Sequence, residues 1–120
     1  MNELSPQLQN QITQFQQIQQ QLQNVNTQKA QMEIQLRELR RTVDELAKAT
    51  GDVFKNVGSL LIKVDDKDGI KNDLEESIET LEIRVNGLDR QAKNLQEKYQ
   101  TLQETINKAL GNVAPAQEDA

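Results

Sequence analysis

An acidic stretch in the second half of the chain has the residue types of a calcium site. Asp66, Asp68, Gly69 and Glu75 match the third, fifth, sixth and twelfth positions of an EF-hand loop, whose oxygens bind the cation. The first position would then be Val64, which has no side-chain oxygen. Acidic groups are also favourable near the positive N-terminus of a helix. We therefore expect these acids to end a strand and cap a helix, without a metal.

The rest of the sequence offers no set of catalytic residues. The chain lacks Cys and His, which removes thiol nucleophiles, thiolate zinc sites and the usual general base at neutral pH. Ser59 has no base near it in the sequence, and no glycine-rich phosphate loop is present. We expect a protein that is not an enzyme, with no catalytic residue and no cofactor.

The composition of the 120 residues excludes further classes. With 35% hydrophobic and 2% aromatic residues, the chain has too little bulky apolar material for a compact single-chain core. The net charge of -5 argues against nucleic-acid binding. Residues 4–28 are uncharged, but 13 of the 18 glutamines fall within the first 35 residues, too polar for a membrane span. The first residues do not resemble a signal peptide, so we expect a cytoplasmic protein without a membrane segment.

The first half of the chain predicts one helix over residues 6–50. Ser5 can cap this helix, and Pro6 suits the first helical position. Gly51 is expected to end it in the left-handed conformation. Apolar residues recur with the 3-4 spacing of a coiled coil, and two of the twelve a and d positions are polar. These positions are Leu8, Gln11, Phe15, Ile18, Leu22, Val25, Lys29, Met32, Leu36, Leu39, Val43 and Leu46.

The second half predicts a helix over residues 69–110, followed by a flexible tail over 111–120. All eleven a and d positions of this helix are apolar, and a spacing held over five heptads is a strong coiled-coil signal. The positions are Leu74, Ile78, Leu81, Val85, Leu88, Ala92, Leu95, Tyr99, Leu102, Ile106 and Ala109.

Residues 53–64 predict a β-hairpin, because β-prone segments flank Gly58 and Ser59. A hairpin there turns the chain back, so that the two seams face each other. Two strands alone are marginally stable and would leave apolar side chains in water. We therefore expect an all-α dominated, single-domain chain over 1–120. It forms a long antiparallel two-helix coiled coil with one hairpin at the bend, and the hairpins of several chains assemble into a β-barrel. The expected interface residues are Val53, Phe54, Val57, Gly58, Leu60, Leu61, Ile62 and Val64.

Three segments together resemble the β subunits of the prefoldin family, of the archaeal type with a single hairpin. They are the Gln-rich first helix, the hairpin segment 53–64, and Glu-Thr-Leu-Glu-Ile-Arg at 79–84. The resemblance covers nearly the whole chain, and the hairpin is its specific part, with Phe54 where the family usually has Tyr. It implies a hexamer of two α-type and four β subunits whose hairpins form a double β-barrel. It also implies ATP-independent capture of unfolded proteins at the coiled-coil tips and delivery to a group II chaperonin.

The two ends of the chain carry more apolar residues than a seam requires. Antiparallel pairing places residues 1–15 beside about 103–117, and uncharged glutamines surround them, including five at successive g positions. These are Gln7, Gln14, Gln21, Gln28 and Gln35. A surface without ions can contact varied apolar segments without desolvating a charge. The expected substrate-binding residues are Leu4, Leu8, Ile12, Phe15, Ile106, Leu110 and Val113. Two alternatives stay open: a frayed terminus that merely closes the last heptad, and an oligomeric scaffold that binds one defined protein partner.

Overall fold

The computed structural model describes residues 4–111, and its elements follow the order helix, strand, strand, helix. Helix α1 comprises Pro6–Lys48 and helix α2 comprises Lys67–Gly111. Between them lie strand β1, Val53–Val57, and strand β2, Leu60–Val64. The two long helices joined by an antiparallel hairpin are the architecture that the sequence predicts.

Helix α1 begins where the sequence predicts, at a serine cap followed by proline. The Oγ of Ser5 accepts a hydrogen bond from the backbone N–H of Leu8 at 3.0 Å. The carbonyl of Ser5 accepts from the N–H of Gln9 at 2.9 Å, closing the first turn. Pro6 stands at the first helical position, where no N–H is required. Local sequence chemistry therefore fixes this end of the helix.

The expected left-handed stop at Gly51 is wrong. Helix α1 ends two residues earlier than predicted, and among residues 4–111 the one glycine with positive φ is Gly58. Two other contacts close this end of the helix. The N–H of Ala49 donates to the carbonyl of Leu46 at 3.2 Å, and the ammonium of Lys67 donates to the carbonyl of Ala49 at 3.4 Å. A cation near the end of a helix can satisfy a free carbonyl there without a left-handed residue.

Helix α2 starts two residues before the predicted position because Asp66 is its cap. The Oδ1 of Asp66 accepts from the N–H of Gly69 at 3.0 Å, and its carbonyl accepts from Ile70 at 3.3 Å. A Cβ added to Gly69 would lie 2.6 Å from the Oδ2 of Asp66. The glycine therefore leaves room for the capping carboxylate.

Removing this cap should lower stability by a measurable amount. We expect Asp66→Ala to reduce the free energy of unfolding by about 1 kcal/mol, because the N–H of Gly69 loses its acceptor. Urea denaturation at a fixed protein concentration measures the change. Asp65→Ala is the matched control, since it removes the same charge one residue before the cap. Equal losses in the two variants would contradict the capping role.

The hairpin pairs Val53 with Val64 at its base and Val57 with Leu60 at its turn. Two residues, Gly58 and Ser59, connect the strands. Gly58 has a φ of 61°, and a positive φ at the first central residue alone is typical of a type II′ turn, whose twist matches paired strands. This position requires glycine for its backbone conformation, since a Cβ there would meet no atom within 4 Å.

The residues group into two compact units, each containing part of both helices. The terminal unit consists of 4–28 with 88–111, and the hairpin unit consists of Lys29–Gly87. In both units every predicted a and d position is buried or half-buried, including the polar Gln11 and Lys29. The residues that are buried most deeply all lie at these positions; they are Leu8, Val25, Leu95 and Ile106 in the terminal unit and Leu36 in the hairpin unit. The heptad pattern therefore identifies the packed seam.

Ion pairs add to this packing on the surface. In the hairpin unit the guanidinium of Arg40 pairs with the Glu82 carboxylate across the two helices. In the terminal unit Lys93 and Asp89 pair along one helix at 3.2 Å. All four side chains are at least 36% exposed, so each pair contributes about 0–1 kcal/mol. Within residues 4–111, neither helix has the sustained apolar stretch that a membrane crossing would need.

Candidate functional site

The hairpin presents apolar side chains to solvent on both of its faces. Alternation along the strands places Val57, Leu60 and Ile62 on one face, and Phe54 with Leu61 on the other. All five are exposed, at fractions between 47% and 64%. Large apolar side chains this exposed on a two-stranded sheet mark an interaction surface. We call these five residues the hairpin surface.

The base of the hairpin differs from its turn. Val53 and Val64 are half-buried and line a cavity of about 280 Å³ in the hairpin unit. Leu46, Ile70 and Leu74 from the two helices line the same cavity. Of the eight predicted interface residues, these two half-buried valines thus anchor the hairpin to its own helices, and the exposed Phe54 also lines the cavity. Gly58 forms the turn, and the remaining five are the hairpin surface.

A groove of about 370 Å³ lies in the terminal unit. Ile12 and Phe15 from α1 and Ile106 from α2 contribute its apolar lining. The ring of Phe15 stacks on Tyr99 with centroids 4.6 Å apart, which fixes the aromatic side chain against α2. The structure therefore brings together three of the predicted substrate-binding residues.

Four amide side chains complete the lining of this groove: Gln16, Gln19, Gln103 and Asn107. Among residues 4–111, the lining contains no charged residue. All four amides are exposed, and within residues 4–111 none of them has a side-chain hydrogen bond. Gln20, by contrast, donates to Asn24 at 3.3 Å, and Gln9 donates to the carbonyl of Leu4 at 3.1 Å. We call the seven lining residues the terminal groove.

The other predicted substrate-binding residues have different surroundings. Leu8 is buried in the seam, Leu110 is half-buried, and Leu4 is 37% exposed. Val113 lies outside the described residues. Their part in binding stays a prediction, whereas Ile12, Phe15 and Ile106 share one groove.

Sequence reasoning missed the amides that line the groove. It singled out glutamines at g positions, and none of these five lines the groove. The lining amides occupy e positions, Gln19 and Gln103, and b positions, Gln16 and Asn107. Ile12 at an e position, outside the a and d seam, is the one sequence signal that points to the correct flank.

Two further exposed apolar residues were also missed. Ile34 is 49% exposed and Ile83 is 64% exposed, both in the hairpin unit. Each occupies an f position, the outermost position of its heptad. Single exposed apolar residues are ordinary on protein surfaces. Their exposed fractions match those of Ile62 and Leu60 in the hairpin, so substitutions at Ile34 and Ile83 are suitable controls for substitutions in the hairpin.

The acidic stretch holds no converging set of ligands. Among residues 4–111, no three acidic side chains lie close enough to hold a metal ion. The carboxylate of Asp66 instead accepts the hydrogen bond from Gly69 that caps α2.

Two long helices joined by one hairpin with exposed apolar side chains define a class of coiled-coil protein. A family model described as "Prefoldin subunit" matches residues 9–112. The chain therefore belongs to the prefoldin subunit family, a family of chaperones. The resemblance that the hairpin segment indicates is confirmed.

Several relatives of known sequence share this likeness. The prefoldin subunit beta of Methanosarcina barkeri is 44% identical over 70 residues, covering 57% of this chain and 60% of that protein. The prefoldin subunit beta of Archaeoglobus fulgidus is 44% identical over 73 residues, covering 59% of this chain and 63% of that protein. These matches thus span about three-fifths of each relative's length.

A solved structure matches over a larger share of the chain. It is the crystal structure of the prefoldin beta subunit from Thermococcus strain KS-1. The TM-score is 0.82 with 40% sequence identity, and the match covers 92% of this chain and 97% of that one. The architecture of two helices and one hairpin is thus the fold of a prefoldin β subunit.

Proposed function

We propose that this chain is a subunit of an ATP-independent holdase that captures unfolded proteins. We use the word client for such a non-native polypeptide. The observation that carries the proposal is the terminal groove, in which Ile12, Phe15 and Ile106 are surrounded by uncharged amides. An apolar floor can bind the side chains that unfolded chains expose. Walls without ions contain no charged group that would have to lose its water when an apolar client segment docks.

We propose that the hairpin surface holds the subunits together. Its five exposed side chains would be covered, and its strand edges paired, if the hairpins of several chains joined in a β-barrel. The family resemblance supports a hexamer of two α-type and four β subunits, with this chain as a β subunit. Several grooves in one assembly would bind one client together, so that weak single contacts add up to lasting capture.

The delivery of clients to a group II chaperonin is also part of the proposal. It rests on the family resemblance, as does action in the cytoplasm. In this scheme the rest of the seam of α1 and α2 is structural, and the residues that act are those of the terminal groove with Leu4, Leu8, Leu110 and Val113. The scheme needs neither a catalytic group nor a nucleotide.

A panel of unrelated clients tests the proposal. The assembled protein, in molar excess and without nucleotide, should suppress the light scattering of several chemically denatured proteins upon dilution. Added ATP should not change the result, because the mechanism uses binding alone. A scaffold would instead protect none of the panel and would retain one partner at a fixed ratio. That second pattern would overturn the holdase proposal.

A further inference from the structure

The four amides of the terminal groove have a chemical role that the apolar floor cannot fill. An unfolded segment that docks on Ile12, Phe15 and Ile106 brings its backbone with it. Each of its peptide groups carries an N–H donor and a C=O acceptor that lose water when the segment is covered. An unsatisfied peptide group in an apolar site costs free energy. In a purely apolar groove, the unsatisfied peptide groups would therefore lower the affinity for a chain segment.

The side chains around the floor match the peptide group in their chemistry. Gln16 and Gln19 stand on α1, and Gln103 and Asn107 stand on α2. A side-chain amide offers one carbonyl acceptor and two N–H donors, the same groups that a peptide bond presents. Within residues 4–111 none of these four amides has a hydrogen-bond partner of its own. They are therefore available to a ligand without breaking a hydrogen bond within the protein.

The groove also has the size and the charge that such a ligand requires. Its volume of about 370 Å³ lies within the range of about 300–1,000 Å³ that is usual for ligand pockets. It therefore takes a short piece of chain rather than a folded surface. None of the lining residues in the described part of the chain carries a charge, so their polar groups complement a neutral ligand rather than an ion. A neutral ligand with apolar side chains and many amide groups is an uncharged peptide segment.

We propose that the terminal groove recognises the peptide backbone of its client. The apolar floor contacts the side chains, while Gln16, Gln19, Gln103 and Asn107 hydrogen-bond to the N–H and C=O groups of the bound segment. Because every client has the same backbone, this recognition is independent of sequence. The inference rests on the proposed function and adds a substrate class to it. That class is an uncharged chain segment whose N–H and C=O groups are not hydrogen-bonded within the client.

Two probe peptides and two variants test this inference. The first probe is a short fluorescent peptide of alternating leucine and serine, blocked at both ends so that it is uncharged. The second is the same peptide with alternate backbone nitrogens methylated, which removes donors and keeps the side chains. The groove variant is Gln16→Met with Gln103→Met. The control variant is Gln17→Met with Gln100→Met, since both of these glutamines are exposed and neither lines the groove.

We expect the wild-type assembly to bind the unmethylated peptide about threefold to tenfold more tightly than the methylated peptide. Fluorescence anisotropy measures both affinities. The groove variant should lose this preference, and the control variant should retain it. Comparing the ratio of the two affinities between variants cancels any effect of methylation on the free peptide. Circular dichroism and native mass spectrometry would verify that helix content and assembly are unchanged in both variants.

Three other results would overturn the inference in different ways. Equal affinity of the wild-type assembly for the two peptides would show that backbone groups are not recognised, while capture through the apolar floor would stand. If the groove variant keeps the wild-type preference, Gln16 and Gln103 do not provide the recognition, and the inference is overturned as well. Binding of neither peptide would instead remove the proposed function itself, and the inference with it.

Discussion

Leu60→Glu combined with Ile62→Glu is expected to convert the assembled protein into single subunits of 13.7 kDa. The two side chains lie on one face of β2 and are 63% and 47% exposed in the isolated chain. Full burial of a leucine or isoleucine contributes about 1.5–3 kcal/mol, and this contribution is lost at every hairpin interface. A carboxylate at the same place must also be desolvated. Because both positions are exposed in the single chain, the helices should keep their structure.

Native mass spectrometry and far-ultraviolet circular dichroism measure this result together. The matched control is Ile83→Glu with Ile34→Glu, whose side chains are 64% and 49% exposed. It removes the same kind of apolar surface and adds the same two charges on the helices. We expect the control to keep the parent oligomer and both variants to keep their helix content. Retention of the oligomer by the hairpin variant would show that the hairpin surface does not hold the subunits together.

The seams and the hairpin were predictable because local spacing determines them. A 3-4 repeat places Leu8, Val25 and Leu36 on one face of α1, and all three are buried. The turn followed from Gly58, since few other residues adopt a positive φ at that position. In both cases a local sequence feature, the 3-4 repeat or the glycine, is sufficient to predict the local structure.

The end of α1 could not be predicted in this way. The ammonium that donates to the carbonyl of Ala49 belongs to Lys67, eighteen residues later in the chain. No local pattern connects these two residues, because the hairpin brings them together. The start of α2 was misplaced for a different reason. Three acids precede Gly69, and geometry alone identifies Asp66 as the one that accepts its hydrogen bond.

The terminal groove was predictable only in part. An excess of apolar residues near the ends of the chain indicates Ile12 and Ile106. The glutamines that the heptad pattern indicates lie at g positions, whereas the lining amides lie at e and b positions. Which flank of a seam forms a groove depends on how the facing side chains pack. The stacked pair of Phe15 and Tyr99 lies beside this groove. That contact joins residues of different helices and has no signature in either one alone.

Charge placed in the terminal groove is expected to weaken client capture strongly. Ile12→Glu with Gln103→Glu removes part of the apolar floor and puts carboxylates on two sides of an uncharged groove. A client segment would then have to displace water from ionised groups in order to dock. A penalty of about 1–3 kcal/mol corresponds to about fivefold to about 150-fold weaker binding at one groove. Loss at several grooves of one assembly would compound this effect.

A control with the same amino-acid composition separates the groove from the added charge. Ile34→Glu with Gln35→Glu changes one isoleucine and one glutamine to glutamate on α1, and neither residue lines the groove. Both variants should assemble like the unmodified protein, because neither alters the hairpin surface. Native mass spectrometry should therefore show the parent oligomer in each case.

The most direct measurement of the central claim is the light scattering of denatured clients diluted into increasing amounts of these two variants. The control variant should suppress aggregation at the same ratio of protein to client as the unmodified assembly. The groove variant should need at least about tenfold more protein for the same suppression, for every client in the panel. Identical curves for the two variants would contradict capture at the terminal groove.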